Sequence, residues 1–302
     1  MSQAWHAHPT SYALARRIGE RLIRYDSDEG RSSAAAVAWL RAAVALRPED
    51  ASAHNFLGMA LFMSKANPVE TLGACRAALT LDPRYTDSRA CLVHTLWRSK
   101  DWDRMILEYG EYIRRQRRPT GNNEEDFDIS SGYGDGLMDF LEDDVVPTLC
   151  KEGRPHLALR FAREFRLVEL QPKFRMDGEL IITSERYDAA CAAMLCAVGK
   201  GTDCPPPSER PALRREALGY LKADLAMWRK GFDSNPDKHR NVVHARISRR
   251  LSDKDLTPVR EPEALATLPA AEQAEWQAFW AEVRKLHADS KPEVLPPPRA
   301  NK

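Results

Sequence analysis

Apolar residues recur at helical spacing along most of the chain, and proline or glycine punctuates the segments between them. The stretch SYALARRIGERLIRY supplies a first helix. Two later segments end alike, AVAWLRAAVALRPED at 36–50 and TLGACRAALTLDPRY at 71–85. Both read as a helix with small residues facing a neighbour, then an aliphatic residue, then a proline. Pro48 and Pro83 stand 35 residues apart, the period of a repeated helix pair. Proline ends such a pair because it has no N–H to donate and disfavours helix in the residue before it. Gly58, inside HNFLGMALF, points to close helix contact, since glycine costs about 1 kcal/mol in a helix relative to alanine. The segment TDSRACLVHTLWRSKDWDRMILEYGEYIRRQ keeps the helix–turn–helix rhythm around Lys100, Asp101, Trp102 and Asp103. Ile106, Tyr109 and Ile113 recur on one of its faces, yet it lacks the glycine and the terminal alanine, so it is a degenerate copy. Three units therefore occupy roughly residues 11–118. A weaker fourth is expected over 137–172, with Ala158 as its small residue and Pro172 as its stop.

Beyond residue 185 the pattern is helical again. RYDAACAAMLCAVGKG reads as an alanine-rich amphipathic helix stopped by Gly199 and Gly201. After the linker PPPSERP, a long helix carries Leu213, Leu218, Leu221, Leu225 and Trp228 at helical spacing. A last helix opens behind Pro269 with Trp276, Phe279, Trp280 and Val283, an aromatic cluster read as packing that covers the end of the array. The fold class expected is all-α: antiparallel helix pairs stacked as a short tetratricopeptide-like solenoid with a C-terminal helical cap. The division expected is 1–118 for the repeats, 119–150 for an insertion leading into a helix, 151–289 for a degenerate repeat and further helices, and 290–302 for a solvated proline-rich tail.

Three blocks, RYDAACAAMLCAVGKG, LRREALGYLKADLAMW and DLTPVREPEALATLPAAEQAEWQAFWAEV, resemble the tetratricopeptide-bearing C-terminal regions of planctomycete serine/threonine protein kinases. The resemblance covers about 185–287, in the order and spacing of that family. Arg250 departs from it, where the family more often has an aromatic residue. The kinase itself is not implied, because its phosphate loop, strand lysine, catalytic loop and metal-binding motif are missing. The triplet Gly132, Gly134, Gly136 has the wrong spacing for a phosphate loop and sits among acids. What the resemblance implies is a regulatory or substrate-docking fragment of a kinase system, acting in trans.

Composition narrows the function classes. With 43% hydrophobic and 29% charged residues the chain can bury a core, and no apolar run approaches a membrane span. No secretory signal opens it, so a cytoplasmic protein is expected. The six cysteines show no CxxC pair and read as small buried hydrophobes. The net charge of +1 offers no general pull toward nucleic acid. The basic residues Lys238, His239, Arg240, Arg246, Arg249 and Arg250 read as a solvated helix face. From 119 to 150 there are nine acids and no lysine or arginine, directly after Arg114, Arg115, Arg117 and Arg118. This segment reads as a solvated insertion, or as a docking surface for a basic partner or for the chain's own run from Arg114 to Arg118, and it lacks the calcium-loop spacing.

No histidine–carboxylate or cysteine–histidine constellation points to catalysis, and no metal or cofactor is expected. An enzyme would instead declare itself by a deep pocket with converging ionisable side chains. The expected function is a non-catalytic protein–protein interaction scaffold. Its partner would be a protein or peptide, such as a serine/threonine kinase or its substrate, and not nucleic acid or membrane. Partner contact is expected on the concave face of the first helices of the pairs, at Asn55, Met59, Phe62, His94 and Arg98. The positions of the known carboxylate clamp hold Phe56, Ala90 and Cys91, which argues against chaperone-tail binding.

Overall fold

A computed structural model describes residues 11–25, 31–116, 145–165, 173–174, 180–181 and 184–292. His6, His8, Arg117, Arg118, the acidic stretch through Asp144 and the tail from 293 lie outside them. The described chain is all-helical apart from one short antiparallel pairing of Lys173 with Ile181 and Phe174 with Leu180. Two compact units divide it, Met1–Glu142 and Asp143–Lys302.

The first unit holds α1 (Tyr12–Tyr25), α2 (Arg31–Leu46), α3 (Ala51–Met63), α4 (Pro68–Leu81), α5 (Thr86–Arg98) and α6 (Trp102–Gln116). Each helix packs on the next, and α3 packs on both α1 and α5 as well. Local chemistry sets the starts of α3 and α4. The Asp50 carboxylate accepts the Ala53 N–H at 3.0 Å, and the Asn67 side chain accepts the Val69 N–H at 2.9 Å with Pro68 opening α4. These contacts satisfy N–H groups that a helix start leaves without partners.

The turns within successive pairs are copies of one another. After α3, Lys65 and Ala66 donate their N–H groups to Phe62 and Leu61; after α5, Lys100 and Asp101 donate to Trp97 and Leu96. Lys65 has φ of 54° and Lys100 of 58°, the left-handed region that glycine enters at least cost. The two lysines lie 35 residues apart, matching Pro48 and Pro83. Since lysine holds a backbone shape better suited to glycine, Lys65→Gly and Lys100→Gly should each stabilise the first unit by about 0.5–1 kcal/mol. Urea unfolding midpoints check this, and a loss of stability in both variants would refute the strain.

In the second unit the helices are α7 (described over 145–151), α8 (Pro155–Glu164), α9 (Glu185–Val198), α10 (Arg210–Ser234), α11 (Pro236–Ser252), α12 (Pro262–Leu265) and α13 (Ala270–Asp289). The turn from α7 into α8 repeats the pattern of the first unit: Gly153 has φ of 74°, and Arg154 donates to the Leu149 carbonyl. Asp203, far along the chain, accepts the N–H groups of His156 and Leu157 at 3.1 and 2.9 Å and so caps α8. Gly199 is left-handed at the end of α9, as a stop requires. Gly201 differs from its expected role: an added Cβ would lie 2.4 Å from Pro155 Cδ, so this glycine admits the start of α8 and stops nothing.

α9 also departs from expectation. Nearly every residue from Tyr187 to Ala197 is buried, so the helix is enclosed between α8 and α10 and is not amphipathic. An alanine-rich helix with no large polar face is one that neighbours can surround. The aromatic cluster of α13 is packed, with Trp276, Phe279 and Trp280 buried and Trp280 Nε1 donating to the Val259 carbonyl at 2.6 Å.

The basic stretch of α11 divides. Lys238, Arg246 and Arg249 are exposed, but His239 and Arg250 are buried, which corrects the reading of one solvated face. Arg250 donates to Asp224 Oδ2 through Nε at 2.8 Å and Nη2 at 2.5 Å. Its guanidinium also lies 4.5 Å from the Tyr187 ring centre and 5.5 Å from that of Trp228. Aromatic faces that attract a cation explain how an arginine is accommodated there.

Candidate functional site

The residues expected to touch a partner fall into two groups. Asn55 and Met59 are enclosed, at 2% and 1% exposure. Ser88 Oγ donates to Asn55 Oδ1 at 2.7 Å, and Asn55 Nδ2 lies 3.8 Å from Met59 Sδ, so Asn55 fastens α3 to α5. Phe62, His94 and Arg98 come together near the surface. The Phe62 and His94 rings meet edge-on with centres 5.9 Å apart, and the Arg98 guanidinium lies 5.9 Å from the Phe62 ring. His94 is buried, Phe62 is half-buried and Arg98 is exposed. The reason for the split is legible in α3 itself. HNFLGMALF is apolar nearly all round, and such a helix sits inside a fold. Polar residues on α5, including Asp87, Ser88, Arg89 and Thr95, are buried too, and Arg89 pairs with Glu108 of α6 at 3.1 Å.

The second unit contains a cavity of 480 Å³ that no sequence motif announced. Tyr187, Asp188 and Cys191 of α9 line it, with Cys150 at the end of α7 and Asp253 and Asp255 beyond α11. Lys151, Lys200 and Arg249 complete its charged lining. The Tyr187 hydroxyl donates to the Asp253 carboxylate, whose other oxygen accepts the Asp255 N–H at 2.9 Å. Arg260 ties this loop down by donating to the Asp253 carbonyl at 2.7 Å.

Burial controls the protonation of these groups. It raises the Asp188 carboxyl above its ordinary value, opposed by the Ser184 hydroxyl and by Arg249 and Arg250. Asp255 is raised by burial and then by the neighbouring Asp253 charge. Burial pushes the Cys150 thiol up to about 12 and the Cys191 thiol well above its ordinary value. A thiol is a nucleophile only as the thiolate, so these cysteines are inert near neutral pH. The arrangement can donate hydrogen bonds and exchange protons at its carboxyls. Among the described residues, no group of three histidine, cysteine or acidic side chains is placed to hold a metal ion. The one signal that could have flagged the cavity is Tyr187, Cys191 and Leu195 at four-residue spacing, with Asp188 beside them as the charged residue of the stretch from Tyr187 to Ala197.

No protein-family model and no curated protein matches the chain. Among the described residues, no helix is long and apolar enough to cross a membrane.

Proposed function

We propose that the chain is a non-catalytic scaffold of tetratricopeptide type that binds a protein or peptide. The observation that supports this reading most directly is the repetition of one turn geometry at Lys65 and Lys100, 35 residues apart, joined to the packing of α3 on both α1 and α5. Helix pairs repeated in this way build a surface from the same position of successive pairs, and such surfaces serve as binding faces. Phe62, backed by His94 and flanked by Arg98, supplies the aromatic and arginine chemistry in which binding hot spots are rich. A serine/threonine kinase or its substrate is the partner implied by the C-terminal resemblance.

The test is affinity capture from native lysate with the full chain and with a Phe62→Ala/Arg98→Glu variant. A specific protein retained by the parent and lost, by at least about tenfold, with the variant supports the reading; tenfold corresponds to about 1.4 kcal/mol. Capture of no specific protein overturns it. The cavity beside Tyr187 favours a second reading, a small-molecule site on the helical scaffold. Ligand-induced thermal stabilisation that Asp188→Asn abolishes would support that reading, and a screen without any stabilising compound would count against it.

A further inference from the structure

The cavity of the second unit is lined by opposite charges that do not pair with each other. Asp188 stands half-buried in the first turn of α9, where a helix start favours negative charge. Arg249, near the end of α11, is exposed on the same lining. The two are close enough for the Arg249 charge to act on the Asp188 carboxyl, which otherwise accepts only from the Ser184 hydroxyl. Among the described residues, neither forms an ion pair with any side chain. The other carboxylates of the lining are engaged. Asp253 accepts from the Tyr187 hydroxyl and the Asp255 N–H, and Asp255 has Lys200 Nζ at 3.9 Å. Arg250, the further cation that acts on Asp188, is held by Asp224.

Two unlike charges that share a cavity and leave a gap between them suit a ligand that carries both charges itself. An ammonium against Asp188 and a carboxylate against Arg249 would replace one unmade ion pair with two made ones. Such charge-assisted hydrogen bonds are the strong kind, and a guanidinium takes a carboxylate at two points. Lys151, exposed on the same lining, adds positive charge on the carboxylate's side of the account without the fork. Pro147, Cys191 and Leu195 supply an apolar wall, and the volume of 480 Å³ lies in the range of small-molecule sites.

We propose, resting on the small-molecule reading of this cavity, that it binds a free α-amino acid with an apolar side chain, the ammonium on Asp188 and the carboxylate on Arg249. The side chain lies on the apolar wall. An uncharged apolar molecule would leave both charges unanswered, and an amine or an acid alone would answer one of them. Selectivity for the intact amino acid therefore comes from the two charges together.

The experiment is calorimetric titration of the full chain with L-leucine and L-phenylalanine, each beside its decarboxylated and its deaminated counterpart: isoamylamine and isocaproate, phenethylamine and hydrocinnamate. At least one amino acid is expected to bind about tenfold or more tightly than either of its counterparts. Asp188→Asn is expected to erase the preference over the deaminated acid, and Arg249→Gln the preference over the amine. A residue that only supported the fold would not divide the two preferences in this way. If Asp188→Asn fails to fold, Arg249→Gln, at an exposed position, still decides. An amine or acid that binds as tightly as the amino acid, and that Asp188→Asn weakens, overturns the amino-acid assignment while the small-molecule reading stands. Binding of neither amino acid overturns the assignment too, and a thermal screen without any stabilising compound takes the small-molecule reading with it.

Discussion

Replacing Asp224 with alanine is expected to destabilise the second unit by about 3–5 kcal/mol, the largest loss foreseen for a single residue of this chain. Asp224 on α10 is fully buried, and its carboxylate is the counter-charge of the equally enclosed Arg250 on α11. It also accepts the Trp228 Nε1 hydrogen at 3.1 Å. Burial pushes the Asp224 carboxyl up, while the Arg250 charge and the two donors support its ionised form. Alanine removes the hydrogen-bonded anion but leaves the guanidinium in place, with two aromatic rings, the Arg246 carbonyl at 2.8 Å and the more distant charge of Asp188 as its company. A buried charge stripped of its partner bears most of its desolvation cost uncompensated. For a unit of this size the loss corresponds to a fall in melting temperature of about 10 °C.

The double replacement Asp224→Leu/Arg250→Met separates pair from packing. Exchanging a whole buried ion pair for apolar groups of similar volume is often neutral or stabilising. The double variant is therefore expected to recover most of what Asp224→Ala loses. Thermal melting followed by circular dichroism measures both. A loss under about 1 kcal/mol for Asp224→Ala would mean that Arg250 reaches water after all. A double variant as unstable as the single one would mean that the pair directs packing beyond its charges.

Much of the fold was legible because it rests on period and punctuation. Helix boundaries near Pro48, Pro83 and Pro269 follow from a residue that cannot continue a helix. The spacing of 35 residues between Pro48 and Pro83 reappears in the turns at Lys65 and Lys100. The turn at Lys100 was legible from the helix–turn–helix rhythm, whereas the one at Lys65 was not, because lysine occupies a position whose usual mark is glycine. Burial was the weakest inference. Arg250 looks like part of a solvated basic run, and only the partner 26 residues earlier on another helix reveals why a guanidinium can be enclosed there. Asn55 and Met59 were placed on an open face by analogy between repeats, whereas the apolar character of α3 on all sides draws them into the seam with α5. The cavity beside Tyr187 was illegible for a related reason. Its walls come from α7, α9 and the loop after α11, segments more than 30 residues apart that no local pattern connects.

Gly58→Ala is expected to cost the first unit about 1–2 kcal/mol, although alanine is the better helix former. By propensity alone the exchange should gain about 1 kcal/mol. The geometry reverses the sign. A Cβ at position 58 would stand 2.7 Å from Cys75 Sγ, too close without a shift, while it meets the Cys75 backbone nitrogen at 3.4 Å in ordinary contact, which leaves α4 little room to absorb the move. Cys75 is fully buried and cannot swing into solvent to make room. Overpacking of this kind costs about 1–3 kcal/mol, because the backbones of α3 and α4 must separate. Gly73→Ala is the matched control: that glycine lies in the interior of α4 with nothing within 4 Å of an added Cβ. It should stabilise the unit by about 0.5–1 kcal/mol. Adding Cys75→Ala to Gly58→Ala should cost less than the two single losses combined, since the thiol is the nearest obstacle. Urea unfolding of the four variants reads these differences. A Gly58→Ala protein as stable as the parent would show that α3 and α4 can part without cost. The close approach inferred from one glycine in HNFLGMALF would then have no energetic meaning.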